Sequence, residues 1–235
     1  MNAIKKIKQT GWLYSIAILF NRIVPERLFR MRRFVVYRIA IPEVSNDHSA
    51  SQPVDSTDTS SISISRSVDE ADIAAVEQMT YFQRSYTTGN SIAYAAKLDG
   101  RLAAGMWAAT TCFDENELGV RIQLNENQAW LFAALVSKEY RRRGLYSKLL
   151  HFTIADMAKQ GYIDQLVSVN PDNIGSNRIH QRLSQETTGH VLAIRFLKTT
   201  CCWTWGKISK DATISWNSTT KPIEIRCQPA QICQT

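Results

Sequence analysis

Apolar and polar positions alternate with clear periods on either side of one polar stretch. Residues 131–136 form an apolar run of strand length. After a short basic turn, Tyr146, Leu149, Leu150, Thr153, Ile154 and Met157 recur at i, i+3, i+4, i+7, i+8 and i+11, one helical stripe that Gly161 ends. The spacing predicts strand, turn and helix. Upstream, Ile62 and Ile64 alternate with serines as a strand, and Ser67 with Glu70 has capping-box spacing for a helix through Ile73, Val76 and Met79. Residues 91–98 and 101–113 flank Asp99 and Gly100, a strong hairpin signal, and 119–124 and 129–136 read as further strands. Downstream, 165–169 reads as a strand parallel to 131–136, joined to it by a right-handed crossover. A helix then starts near Asn173. It carries Asn173, Ser176 and His180 on one face, with Ile179 and Leu183 on the buried side. Residues 188–197 read as a strand that 199–205 either extends or pairs with. Trp203 and Trp205 share one strand face, where core packing is expected ahead of a substrate wall, and Trp216 with 222–226 reads as a terminal hairpin completing the sheet.

The first 42 residues differ in character. Lysines lead into Trp12, Leu13, Tyr14, Ile16, Ala17, Ile18, Leu19 and Phe20, then Asn21, Arg22 and Pro25 replace the small residues of a signal-peptide cleavage site. The apolar stretch is far short of the roughly 20 residues that span a bilayer. Two readings stay open: a helix lying in an anionic membrane interface, or one packed on the rest of the chain or on a second subunit. Residues 30–41 read as an edge strand guarded by arginines. From 43 to 60 the composition turns to Ser, Thr, Asp, Pro and Asn, a linker. The expected organisation is therefore 1–42 (basic helix and strand), 43–61 (flexible linker) and 62–235 (folded domain).

Charge sharpens this division. Nine cationic residues stand against Glu26 alone in the first 38, so that segment is +8 and the other 197 residues sum, by difference from +7, to −1. Its interleaved aliphatics favour membrane or protein over nucleic acid as a partner. The five cysteines are odd in number and lack C-x-x-C spacing, which suggests a reducing compartment and no metal site.

The chemistry centres on Arg141, Arg142, Arg143 and Gly144. They precede a helix whose first backbone N–H groups and dipole suit an anion. The segment Arg141–Arg142–Arg143–Gly144–Leu145–Tyr146 resembles the R/Q-x-x-G-x-G/A signature of the GNAT acyltransferase superfamily, with Tyr146 where glycine or alanine is usual. Asn173, Ser176 and His180 resemble that family's N-x-x-A/S-x-x-x-Y segment, with His180 at the Tyr position and Ser184 in place of the usual glycine. The resemblance spans about 62–205. It implies an α/β (α+β) fold: a mixed, mostly antiparallel central sheet with helices on both faces and a splayed parallel strand pair. It also implies acetyl-CoA or another acyl-CoA as co-substrate. Arg141, Arg142, Arg143, Gly144, Leu145 and Tyr146 would then cradle the pyrophosphate. The Leu135 and Val136 backbone would meet the pantetheine arm and oxyanion, with Asn173 and Ser176 also on the coenzyme.

The reaction implied is direct attack by an amine or similar nucleophile on the thioester, with no covalent enzyme intermediate. His180, with an ordinary pKa near 6.5, suits a proton donor to the thiolate. Asp114, Glu115 and Glu117 lie on the side of substrate approach, but the residues assign no base. The acceptor is open, a small-molecule or lipid-linked amine. A cytoplasmic chain associated with membrane through residues 1–38 is one expectation, and a catalytically degenerate GNAT-like module serving as a scaffold is the other.

Overall fold

The computed structural model describes residues 20, 21, 23–25, 28–39, 41, 61–218 and 220–229. The expected N-terminal helix falls almost wholly, and the linker except for Ser61, outside the described residues.

In chain order the elements are β1 (Phe29–Ile39), β2 (Ile62–Ser67), α1 (Glu70–Thr80), β3 (Ser91–Leu98), β4 (Arg101–Ala109), β5 (Cys112–Glu115), β6 (Val120–Gln123), β7 (Gln128–Val136), α2 (Leu145–Lys159), β8 (Asp164–Val169), α3 (Ile174–Leu183), β9 (Ser184–Phe196), β10 (Thr199–Gly206), β11 (Ile208–Lys210), β12 (Ile214–Trp216) and β13 (Ile223–Cys227). Nine strands form one sheet in the order β12-β10-β9-β1-β8-β7-β4-β3-β2, and β11-β13-β6-β5 form a second. The large sheet is antiparallel except for β7 and β8, which run parallel as their crossover helix requires. Helix α1 adds Ile73 and Val76 to the core between the two sheets; α2 lies on the other face, burying Leu149, Leu150, Ile154 and Met157. The mixed, mostly antiparallel α/β sheet with helices on both faces is thus the observed fold.

Five local expectations are corrected. Ser67 ends β2 with its hydroxyl buried, and Asp69 rather than Ser67 occupies the N-cap of α1, so no capping box forms. The run 101–113 breaks after Ala109, and its last part, β5, joins the second sheet. Trp216 lies in β12 of the large sheet, whereas β13 pairs parallel with β6, so the two make no hairpin. Trp203 and Trp205 are exposed. Finally, β1 is an interior strand, antiparallel to β8 through 35–38 and to β9 along its whole length. The arginines that suggested an edge are explained differently: Arg38 is buried on Asp164, and Arg32 turns to the acidic loop.

Candidate active site

The site begins with a defect in β7. Ala133 and Ala134 together oppose Met106 of β4, because the register jumps from Trp107↔Phe132 to Gly105↔Leu135. Ala133 takes the left-handed conformation, φ 46°. One extra residue bends the bulged strand. The pairing of β7 with β8 runs only from Gln128↔Asp164 to Leu131↔Val167. Beyond it, β7 stays with β4 while β8 stays with β1, which it meets as far as Val35↔Val169. The parallel strands part there.

Backbone groups follow from the register. Ser137 N–H donates to the Ala103 carbonyl at 2.9 Å, so by antiparallel alternation Leu135 also turns its backbone groups to β4, and Val136 turns its own to the gap. The Val136 carbonyl accepts from Arg141 Nε at 3.2 Å. Between β7 and α2 the chain passes left-handed Arg142 and left-handed Gly144 (φ 71°), and a Cβ on Gly144 would meet nothing within 4 Å. Among the described residues no side chain caps α2 at Gly144, and the first amide to return to the Gly144 carbonyl is Lys148. The N–H groups of Leu145, Tyr146 and Ser147 therefore have no intrahelical partner. Leu145 is itself buried, so only its backbone can serve a ligand; Arg141, Arg142 and Arg143 are exposed around the open turn. These features fit a polyphosphate.

Next to this turn, a cavity of about 370 Å³ is lined by residues 131–134 of β7, 167–170 at the end of β8, Tyr146 and Leu150 of α2, and Asn173, Ser176, Ile179 and His180 of α3. The structure thus gathers Tyr146, Asn173, Ser176 and His180 in one wall. Asn173 Oδ1 accepts from Ser176 N–H at 3.1 Å, which caps α3. Leu135 and Val136 lie just past the cavity lining, and Ala133 and Ala134 take their expected place in it. The sequence signal for that shift was the paired alanines, the smallest residues in an otherwise bulky strand.

The two departures from the family pattern meet each other. Tyr146 Oη and His180 Nε2 lie 2.6 Å apart, joining α2 to α3 across the cavity wall, with the rings edge to face. Tyr37 of β1 stacks on His180 with ring centroids 6.2 Å apart and donates to Asn177 Oδ1 at 2.9 Å. His180 is 1% exposed, and its Nδ1 finds no hydrogen-bond partner among the described residues. Burial lowers its pKa to about 4 and raises that of Tyr146 to about 12. At neutral pH the couple is a neutral imidazole and a protonated phenol. The imidazole is thus not the ready acid that an ordinary pKa would make it.

On the other side of β7 a second cavity, about 600 Å³, is walled by Phe82, Phe113 and Phe132 and reached past Tyr86, Glu115 and Glu117. Its rings are in mutual contact, Phe82 with Phe132 at 4.8 Å and Phe113 with Phe132 at 4.4 Å. Arg32 reaches Glu115 at 3.4 Å and also bonds Glu117. Desolvation, opposed by Arg32, raises the Glu115 pKa, although a fifth of that side chain still reaches solvent. Asp114 is held low by Arg121 and Thr88 in spite of its burial. The two cavities share Phe132, Ala133 and Ser168, the residues at which β7 and β8 part.

No curated protein matches the chain. Among solved structures it is similar to a GNAT-family acetyltransferase from Novosphingobium aromaticivorans, at 21% identity, covering 71% of this chain and 60% of that one, with a TM-score of 0.42. It is also similar to the ribosomal-protein-S18-alanine N-acetyltransferase from Escherichia coli, at 19% identity, covering 52% and 76%, with a TM-score of 0.41. The chain spans 60% of the length of the Novosphingobium protein. The model of the acetyltransferase (GNAT) family matches residues 62–184, more than half of the sequence and the whole stretch from β2 through α3, so this chain belongs to the GNAT acetyltransferase family.

Proposed function

We propose that the chain moves an acetyl or other acyl group from acyl-coenzyme A to an amine by direct attack in a ternary complex. One observation carries this reading: cavities on opposite sides of the sheet meet at Phe132, Ala133 and Ser168, so a coenzyme arm and an acceptor can approach each other there. The coenzyme supplies the activated acyl carbonyl when bound. The N–H groups of Leu145, Tyr146 and Ser147, with Arg141, Arg142 and Arg143, hold its phosphates. Asn173 and Ser176 line its arm, and the Val136 backbone faces the gap as an oxyanion donor. Tyr146, kept protonated by burial, donates its hydroxyl hydrogen toward the leaving sulfur, and His180 with Leu135 and its β4 pairing positions these groups. Glu115 is the carboxylate in the acceptor cavity whose raised pKa suits it to receive a proton from the entering ammonium.

The acceptor is a small-molecule or lipid-linked amine. The free Cys112, Cys201, Cys202 and Cys227 support a reducing, cytoplasmic setting. Acetyl-CoA at a hundredfold excess over Kd should stabilise the chain by about 2.7 kcal/mol in a thermal shift assay. Gly144→Glu should erase that shift by placing a carboxylate among the phosphates. The Tyr146–His180 bond across the coenzyme cavity favours a second reading, a module that binds but does not turn over. A screen of amines with thiol-release detection separates the two. A thermal shift without release supports the module, and no shift at all removes both.

A further inference from the structure

The acceptor cavity is rich in rings and poor in spare hydrogen-bonding groups. Phe82, Phe113 and Phe132 line it as one contiguous cluster, and the exposed Tyr81 and Tyr86 stand at its rim. Its volume of about 600 Å³ suits a small organic molecule. Several of the polar side chains on its wall are already engaged. The Thr80 hydroxyl donates to the Val76 carbonyl at 2.7 Å and accepts from Trp107 Nε1 at 2.9 Å. Asp114 accepts from Arg121 Nε at 2.6 Å and from the Thr88 amide at 2.9 Å, and Asn116 Nδ2 donates to the Tyr86 carbonyl.

Charge narrows the choice further. Among the described residues Arg32 is the one cation on this wall, and its two terminal nitrogens are taken by Glu115 and Glu117. Glu117 also faces Arg30 Nε at 3.7 Å. Glu115 is the less committed carboxylate: among the described residues it bonds Arg32 alone, through Oε1 at 3.4 Å, which leaves Oε2 for a ligand. The wall therefore offers an ammonium two attractions, a carboxylate oxygen and aromatic rings. An anionic group would meet Glu115 and Glu117 instead, with the Arg32 nitrogens already occupied. Sugar hydroxyls pressed against the rings would lose water without gaining partners.

We propose that the acceptor is a primary amine on an aromatic or aliphatic body that carries no anionic group, with its ammonium at Glu115 and its apolar part against Phe82, Phe113 and Phe132. This inference rests on the acyl-transfer reading of the two cavities and names the class of molecule the second one takes. On transfer the amine nitrogen bonds the acyl carbon and the thioester C–S bond breaks. Of the two protons the ammonium loses, one passes to Glu115 and the other, on balance, to the thiol.

Calorimetric titration of the full chain with coenzyme A present tests the class. Phenethylamine should bind about tenfold more tightly than glucosamine or phenylalanine. From propylamine to hexylamine, affinity should rise roughly fourfold per methylene. Phe113→Ser should weaken phenethylamine about tenfold while the chain still melts cooperatively, since Phe113 lines the acceptor cavity and not the coenzyme cavity. Should that variant fail to fold, Glu115→Gln keeps the side chain's shape and should weaken phenethylamine by a similar factor. Tighter binding of glucosamine or phenylalanine, binding of none of these amines, or folded variants that hold phenethylamine as the parent does would each overturn the proposal. Thiol release from acetyl-CoA separates it from the reading beneath it. Release with glucosamine and none with phenethylamine removes the acceptor class and leaves acyl transfer standing. Phenethylamine bound in a Phe113-dependent way, with no release from any amine, upholds the ligand class and removes the transfer.

Discussion

The two ends of β8 carry buried polar groups of opposite kinds. Where β8 is paired with β7, Arg38 reaches Asp164 at 2.7 Å and also bonds Glu186 and the Gln228 carbonyl, while Gln128 Nε2 donates to Asp164 at 2.8 Å. Charge meets charge there, and the guanidinium ties β1, β8 and β9 with the chain after β13. Where β8 leaves β7, the groups are the half-buried, neutral Tyr146 and the buried, neutral His180, and one imidazole nitrogen beside a cavity has no partner among the described residues. The difference teaches where this fold keeps strength and where it keeps capacity. A satisfied ion network closes the paired end, whereas an under-satisfied neutral couple leaves the splayed end able to exchange partners.

Breaking the closed end should have the largest effect. Arg38→Met leaves the Asp164 and Glu186 carboxylates without their guanidinium and should cost about 3–5 kcal/mol in urea unfolding. The pair Arg38→Met with Asp164→Leu should recover part of that loss. At the open end, the His180 pKa of about 4 lies below the unfolded value of 6.5. Between these values the unfolded chain takes up a proton that the folded chain refuses, so stability present above pH 6.5 is lost as pH falls toward 4. The loss should approach about 3 kcal/mol. His180→Phe should flatten most of that slope, and an unchanged slope would mean that the imidazole titrates in the folded chain. The smallest effect is expected from Tyr146→Phe, about 1 kcal/mol for one hydrogen bond. The same variant should slow thiol release while acetyl-CoA still raises the melting temperature. Equal rates for this variant and the parent would assign the couple to packing alone.

Local order allowed much of this to be read in advance. The stripe from Leu149 to Met157, the Asp99 and Gly100 hairpin, the parallel return at 165–169 and the start of α3 at Asn173 depend on residues a few positions apart, so their periodicity is present in the chain itself. Gly144 also belongs there, since a left-handed turn before a helix is a local demand. The exposure of Trp203 and Trp205 was not legible, because a strand's alternation names two faces and only the packing partner decides which is covered. Ser67 likewise has capping-box spacing, yet pairing of Ser67 with Ala93 takes it into the sheet.

By itself, then, the sequence determined the run of elements, the uncapped basic turn and the polar face of α3, all consequences of neighbour-to-neighbour geometry. Tertiary structure alone decided that β1 enters the middle of the sheet, that a bulge at Ala133 parts β7 from β8, and that two unusual residues 34 positions apart share a hydrogen bond. Those outcomes rest on contacts between distant segments, where the free energy of burial belongs to the pair and neither partner's local pattern records it.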